Sequence, residues 1–194
     1  MINTIEILGR GEIATVLTRA KEQGQLTKNG LYIAQGVGNP NPLPEDQYIR
    51  EEDSLRSLSR QHRTASQQVI YFSTLSIESQ TRYARHKRDM EKLIADLFPN
   101  FVIARFGILV GVDKNRFTTV NFLLDKVRRG EPVRIRDTSR DVIDTGEFIH
   151  QINNLLVSNG IAEFHGQTMT EREIFDQYVL SSLGMAPPYE HEIR

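Results

Sequence analysis

The chain has 194 residues, 39% of them hydrophobic and 25% charged, and no cysteine. That is one domain's length with enough apolar content for a core, and it excludes disulfides, thiolate metal sites and cysteine nucleophiles. Lys plus Arg (24) nearly balance Asp plus Glu (25), for a formal net charge of −1, so overall charge gives no support for binding nucleic acid or an anionic membrane.

The stretch from Met1 to Gly9 lacks the basic flank and long apolar run of a signal peptide. No apolar run reaches the roughly 18 residues that cross a bilayer, so a cytoplasmic location is the expectation. Thr4–Leu8 is a short isoleucine-rich strand that stops at Gly9. Glu12–Gln23 carries Ile13, Val16, Leu17 and Ala20 on one helical face. Leu31–Ala34 is a second strand, ended by Gly36 and Gly38, and Pro40, Pro42 and Pro44 enforce a loop before a charged helix over Glu45–Gln61. Val69–Thr74 is the third strand. Gln80–Leu97 is the strongest helical pattern, closed by Pro99, and Phe101–Arg105 is the fourth strand.

Further on, Phe117–Arg129 reads as a helix stopped by Gly130, Val133–Ile135 as a short strand, Glu147–Leu156 as a helix and Ala162–His165 as a strand. Thr170-x-x-Glu173 is a capping box that opens a last helix ending at Leu183-Gly184, before a tail with Pro187-Pro188 and Glu190-His191-Glu192. Strands alternating with helices, over connections too long for hairpins, predict a doubly wound α/β parallel sheet with a site at the carboxyl ends of its strands.

Two spacings carry chemistry. Gly9-Arg10-Gly11-Glu12-Ile13-Ala14 is G-x-G-x-x-A between a strand and a helix. In that setting Gly9 permits the tight turn, Gly11 lets a pyrophosphate approach the backbone, and Ala14 lets helix and strand pack closely. A plain tight turn is the alternative. The acid that would hold an adenosine ribose some 20 residues on is missing. Lys28 stands there instead, either meeting an NADP phosphate or solvated in its loop.

Tyr83-Ala84-Arg85-His86-Lys87 places a phenol and an ammonium one turn apart on one helical face, which Met90, Ile94 and Leu97 continue inward. A nearby cation favours the phenolate, which makes a tyrosine a usable acid/base. Ser73-Thr74 supplies a hydroxyl at a strand end to hold the reacting oxygen.

With these residues in order, the chain resembles the extended short-chain dehydrogenase/reductases, the NAD(P)-dependent epimerases, dehydratases and reductases of nucleotide-linked sugars. The resemblance implies a Rossmann-like core over residues 1–140 and a small substrate-side segment over 141–194, packed as one unit. It implies Thr74, Tyr83 and Lys87 as catalytic residues, with Ser73 as the substrate-side neighbour. Gly9, Gly11, Ala14, Tyr83 and Lys87 would hold NAD or NADP, and hydride transfer would accompany proton transfer by Tyr83. Arg140-Asp141-Val142-Ile143-Asp144-Thr145-Gly146-Glu147 resembles the segment whose arginine holds the substrate diphosphate, which makes Arg140 the substrate-binding candidate. A surface loop arginine is the alternative for Arg140. The family also implies a possible homodimer through the tyrosine helix.

The chain departs from the family in length. Leu31–Gly36 looks like the family's fourth strand rather than its second, as if two strands and their helices were deleted together with most of the adenosine pocket. The connection from Thr74 to Tyr83 is short as well.

The histidines (His62, His86, His150, His165, His191) show no metal-ligand spacing. The basic run Arg82, Arg85, Lys87, Arg88 and Lys92 is interleaved with Glu78, Asp89, Glu91 and Asp96, which is a solvated face rather than a nucleic-acid surface. No G-x-S-x-G elbow is present. Two functions follow: a compact NAD(P)-dependent enzyme acting on a nucleotide sugar or similar hydroxyl/carbonyl substrate, or a cofactor-poor remnant that binds a ligand or protein without turnover.

Overall fold

The computed structural model describes residues 4–38, 43–62, 67–111 and 119–185. In chain order its elements are β1 (Ile5–Leu8), α1 (Glu12–Glu22), β2 (Gly30–Ile33), α2 (Glu45–His62), β3 (Val69–Thr74), α3 (Arg82–Leu97), β4 (Phe101–Phe106), β5 (Ile108–Val110), α4 (Thr119–Arg128), β6 (Ser139–Asp144), α5 (Thr145–Asn153), β7 (Gly160–Phe164), β8 (Gln167–Thr170) and α6 (Glu171–Ile174). Pro40, Pro42, Phe117 and the tail from Pro187 to Glu192 lie outside the described residues.

β1, β2, β3, β4 and β7 form a five-stranded sheet in that order, every neighbour parallel. Strand alternation sorts their side chains between two faces. Tyr32, Ile70, Phe72, Val102 and Ala104 meet α1 (Val16, Leu17, Ala20) and α5 (Phe148, Ile149, Ile152) on one face. Leu31, Ile33, Val69, Tyr71 and Ile103 meet α2 (Leu55, Leu58) and α3 (Met90, Leu93, Ile94) on the other. Phe148 is wholly buried, with ring centroids 5.1 to 6.0 Å from those of Phe72, Phe106 and Phe164. Truncating such a ring costs about 3–5 kcal/mol. The fold is therefore the α/β, Rossmann-like class, with helices on both faces.

The strand order runs one way across the sheet, with no reversal. The connections β1–α1–β2 and β2–α2–β3 both step in the same direction, yet α1 and α2 lie on opposite faces. Two such steps must have opposite hands, so one of them is the rare left-handed kind. β1 is an edge strand, and Lys21 Nζ donates to the Ile5 carbonyl at 2.8 Å, placing a charged side chain against that edge.

A second sheet was not legible in the sequence: β5 and β6 run parallel, β6 and β8 antiparallel. Val110, Val142, Met169 and Ile174 make its small core. β6 runs across positions 140 and 141, and α5 and β7 then return the chain to the main sheet. Residues 133–135 form no strand, because that segment has no ladder partner. The capping box at Thr170 and Glu173 is formed, and the last helix continues through a wider turn over Phe175–Leu180 before ending at Gly184.

Candidate functional site

α3 begins one residue after Thr81, whose side chain caps it by accepting from the Ala84 amide at 3.1 Å. This sets Tyr83 in the first turn, beside the carboxyl end of β3. The Thr74 hydroxyl accepts from the Ser76 amide at 3.1 Å, capping a 3-10 turn over Leu75–Glu78, and lies close enough to the Tyr83 phenol to act on its ionisation. Lys87, one turn along α3, is 4% exposed. The phenol, ammonium and alcohol therefore come together.

Their electrostatics differ from the sequence expectation. Burial raises the Tyr83 phenol; Lys87 pulls it down, the Glu51 carboxylate raises it, and the neighbouring Thr74 hydroxyl lowers it. The balance stays above the ordinary phenol value, so Lys87 alone does not make the phenolate accessible near neutrality. Burial is the larger cause, and Glu51, which the sequence does not single out, adds to it. Lys87 Nζ lies 3.2 Å from Glu51 Oε1 and donates to Tyr71 Oη at 2.9 Å. Tyr71 Oη donates to the same Glu51 oxygen at 2.8 Å. Glu51 Oε2 accepts from the Val37 amide at 2.7 Å and from His86 Nε2 at 2.8 Å. The signal was present: Tyr48, Glu51, Leu55 and Leu58 are spaced along one helical face, and all four are buried.

Ser73 does not join Thr74. Its hydroxyl donates to Glu91 Oε1 at 2.6 Å, and Arg105 grips both oxygens of that carboxylate at 2.9 and 2.6 Å. Lys28 is half-buried, and its ammonium donates to the Leu155 carbonyl at 2.7 Å. Arg140 lies on β6, 3.8 Å from Glu171, which also pairs with Arg136 at 3.2 Å. Beside them Phe122, Leu123, Lys126, Arg134 and Arg136 line a depression of about 450 Å3.

The glycine turn has the shape its pattern requires. Gly9 has φ +138°, and a Cβ there would run into the Ala34 backbone at the end of β2. Gly11 begins α1 with φ −80°, and a Cβ there would meet nothing within 4 Å. The backbone at Gly11 is therefore open to a phosphate at a helix N-terminus, and Ala14 is buried beneath it. Against a dinucleotide the fit is thus good at the pyrophosphate turn, while Lys87 is already engaged by protein groups. Among the described residues no cluster of three or more His, Asp or Glu is arranged to hold a metal ion, and no helix is long and apolar enough to cross a membrane.

No protein-family model and no curated protein matches this sequence. Solved structures do match its fold. A Thermus thermophilus UDP-glucose 4-epimerase with NAD aligns at TM-score 0.59 and 16% identity, over 91% of this chain and 68% of its own. MoeE5 with UDP-glucose and NAD aligns at 0.65 and 14%, over 94% and 82%. A Bacillus cereus UDP-glucuronic acid 4-epimerase with NAD and a fluorinated substrate analogue aligns at 0.64 and 13%, over 88% and 64%. The chain spans between about two thirds and four fifths of the length of these proteins. At such identity the likeness establishes a Rossmann-like fold in shortened form.

Proposed function

We propose that this chain is a compact NAD(P)-dependent epimerase, dehydratase or reductase of the extended short-chain dehydrogenase/reductase type, acting on a nucleotide sugar or a related hydroxyl/carbonyl substrate. The observation that carries the reading is the placing of the Thr74 hydroxyl close to the Tyr83 phenol, with buried Lys87 one turn further along α3. The nicotinamide dinucleotide, when bound, supplies the hydride acceptor or donor. Tyr83 Oη moves the proton to or from the substrate oxygen, Thr74 holds that oxygen, and the Lys87 charge favours the phenolate. A phenol held above its ordinary value is protonated near neutrality, which suits proton donation to a carbonyl oxygen. Gly9, Gly11 and Ala14 would receive the pyrophosphate. Arg140, with Arg134 and Arg136 around the depression beside α4, would meet the diphosphate of the substrate, where guanidinium forks engage phosphate oxygens in pairs. A homodimer through α3, the tyrosine helix, belongs to the same reading and is checked by sedimentation.

The engagement of Lys87 by Glu51 and Tyr71, together with the unreversed strand order, favours a second reading: a remnant that binds a ligand or partner without turnover. Thermal-shift titration with NAD+, NADH, NADP+ and NADPH separates the two, because a ligand bound only by the folded state raises the melting temperature. A shift with one of the four supports the enzyme; none at millimolar concentration supports the remnant.

A further inference from the structure

A carboxylate removed from water costs several kcal/mol unless its charge and lone pairs are met. Glu51, 4% exposed, has them met from four directions. Lys87 and Tyr71 converge on Oε1, and His86 and the Val37 amide on Oε2. A carboxylate only accepts, so His86 Nε2 carries its proton toward Glu51. The β2–α2 loop is shaped around the same group: Gly36 has φ +129°, and a Cβ there would strike the Glu51 side chain. α2, β3, α3 and that loop thus meet on one carboxylate.

The arrangement accounts for two of the three N–H groups of Lys87. We infer that Glu51 is a positioning residue for Lys87, fixing the ammonium and its charge beside Tyr83 before any ligand binds and leaving one N–H for the phenol or a bound hydroxyl. This rests on the reading of Tyr83 and Lys87 as the reacting pair. A lysine ordered in advance loses less conformational freedom on binding. The same negative charge opposes ionisation of Tyr83. The groups that act on the phenol are Lys87 from α3, Glu51 from α2 and Thr74 from β3, and Tyr71 on β3 is coupled to it.

The test titrates tyrosinate absorbance of the intact chain, with Y83F subtracted to isolate Tyr83, in the parent, Glu51→Gln and Glu51→Asp. Lys87→Met should raise the pH of Tyr83 ionisation in the parent by removing the ammonium, and should raise it much less in E51Q and E51D, where the ammonium is no longer fixed beside the phenol. An equal rise in all three backgrounds overturns the proposal. Should E51Q fail to fold, E51Q combined with K87M decides. Recovery of folding assigns the role of Glu51 to Lys87, and no recovery overturns it. The readout needs no dinucleotide, so hydride chemistry can fail while this link stands, and the reverse.

Discussion

The Ser73 hydroxyl donates to Glu91 on α3 at 2.6 Å, whereas that of the next residue, Thr74, accepts from the Ser76 amide at 3.1 Å and lies near the Tyr83 phenol. Adjacent strand residues point to opposite faces, so only one of two neighbouring alcohols can serve the phenol. Thr74→Ala should lower turnover about 10²-fold or more, and Thr74→Ser should restore most of it. Ser73→Ala should act on stability instead, costing about 1–2 kcal/mol because a buried carboxylate loses a donor, with turnover changed far less. Denaturant unfolding alongside initial rates for the three variants checks the contrast.

The glycine pattern divides in a comparable way. Gly11 has an ordinary φ of −80° with open space around its absent Cβ, so Gly11→Val should fold normally. It should abolish the dinucleotide-induced thermal shift, because the added side chain occupies the phosphate approach. Gly36→Ala combines a left-handed backbone with a collision against Glu51, and it should cost about 2 kcal/mol or more. Melting temperatures of both variants, with and without dinucleotide, check the pair.

What the sequence revealed follows from the range of each signal. β1, the turn at Gly9, α1, β3 and α3 rest on local periodicity and capping, and all are present. β5, β6 and β8 are short strands joined by distant pairing: Ile108 meets Val142, and Arg140 meets Met169. No local pattern marks such a sheet, and the apolar residues of 133–135 had no partner waiting. The convergence of Thr74, Tyr83 and Lys87 was legible because it needs only one strand end and one helix turn. The control over it was not, since Glu51 stands in the charged run Arg50-Glu51-Glu52-Asp53 and is distinguished only by helical phase. Nothing in the sequence says that Lys87 and His86, on different faces of α3 by phase, reach the two oxygens of one carboxylate.

Tyr48 stands beside this network without completing it. Its ring meets His86 edge-on at 4.9 Å and carries the Arg82 guanidinium 4.0 Å above its centroid. Its hydroxyl is buried and has no hydrogen-bond partner among the described residues. Removing an unsatisfied group while keeping the ring should stabilise the chain, so Tyr48→Phe is expected to gain about 1 kcal/mol. Tyr48→Ala, which loses the ring, should instead cost about 3 kcal/mol or more. Urea midpoints of the two variants should fall on opposite sides of the parent.

Acid stability isolates the charge on Glu51. Burial pushes its carboxyl up, but the Lys87 ammonium and the hydrogen bonds from His86 and Val37 outweigh that and bring it from 4.5 to about 2. A group depressed on folding adds stability above its unfolded value and loses it as pH falls toward the folded one. The contribution is therefore complete above 4.5 and declines between there and about 2. At neutral pH it amounts to about 3 kcal/mol relative to acid. Unfolding free energies measured from neutral pH down to this interval should fall more steeply for the parent than for Glu51→Gln, in which the titrating group is absent. His86 belongs to the same pair, and in Glu51→Gln its Nε2 proton faces a neutral carbonyl oxygen. Parallel curves for parent and variant would mean that Glu51 carries no charge in the folded chain, and that Lys87 is held by packing rather than by its counter-ion.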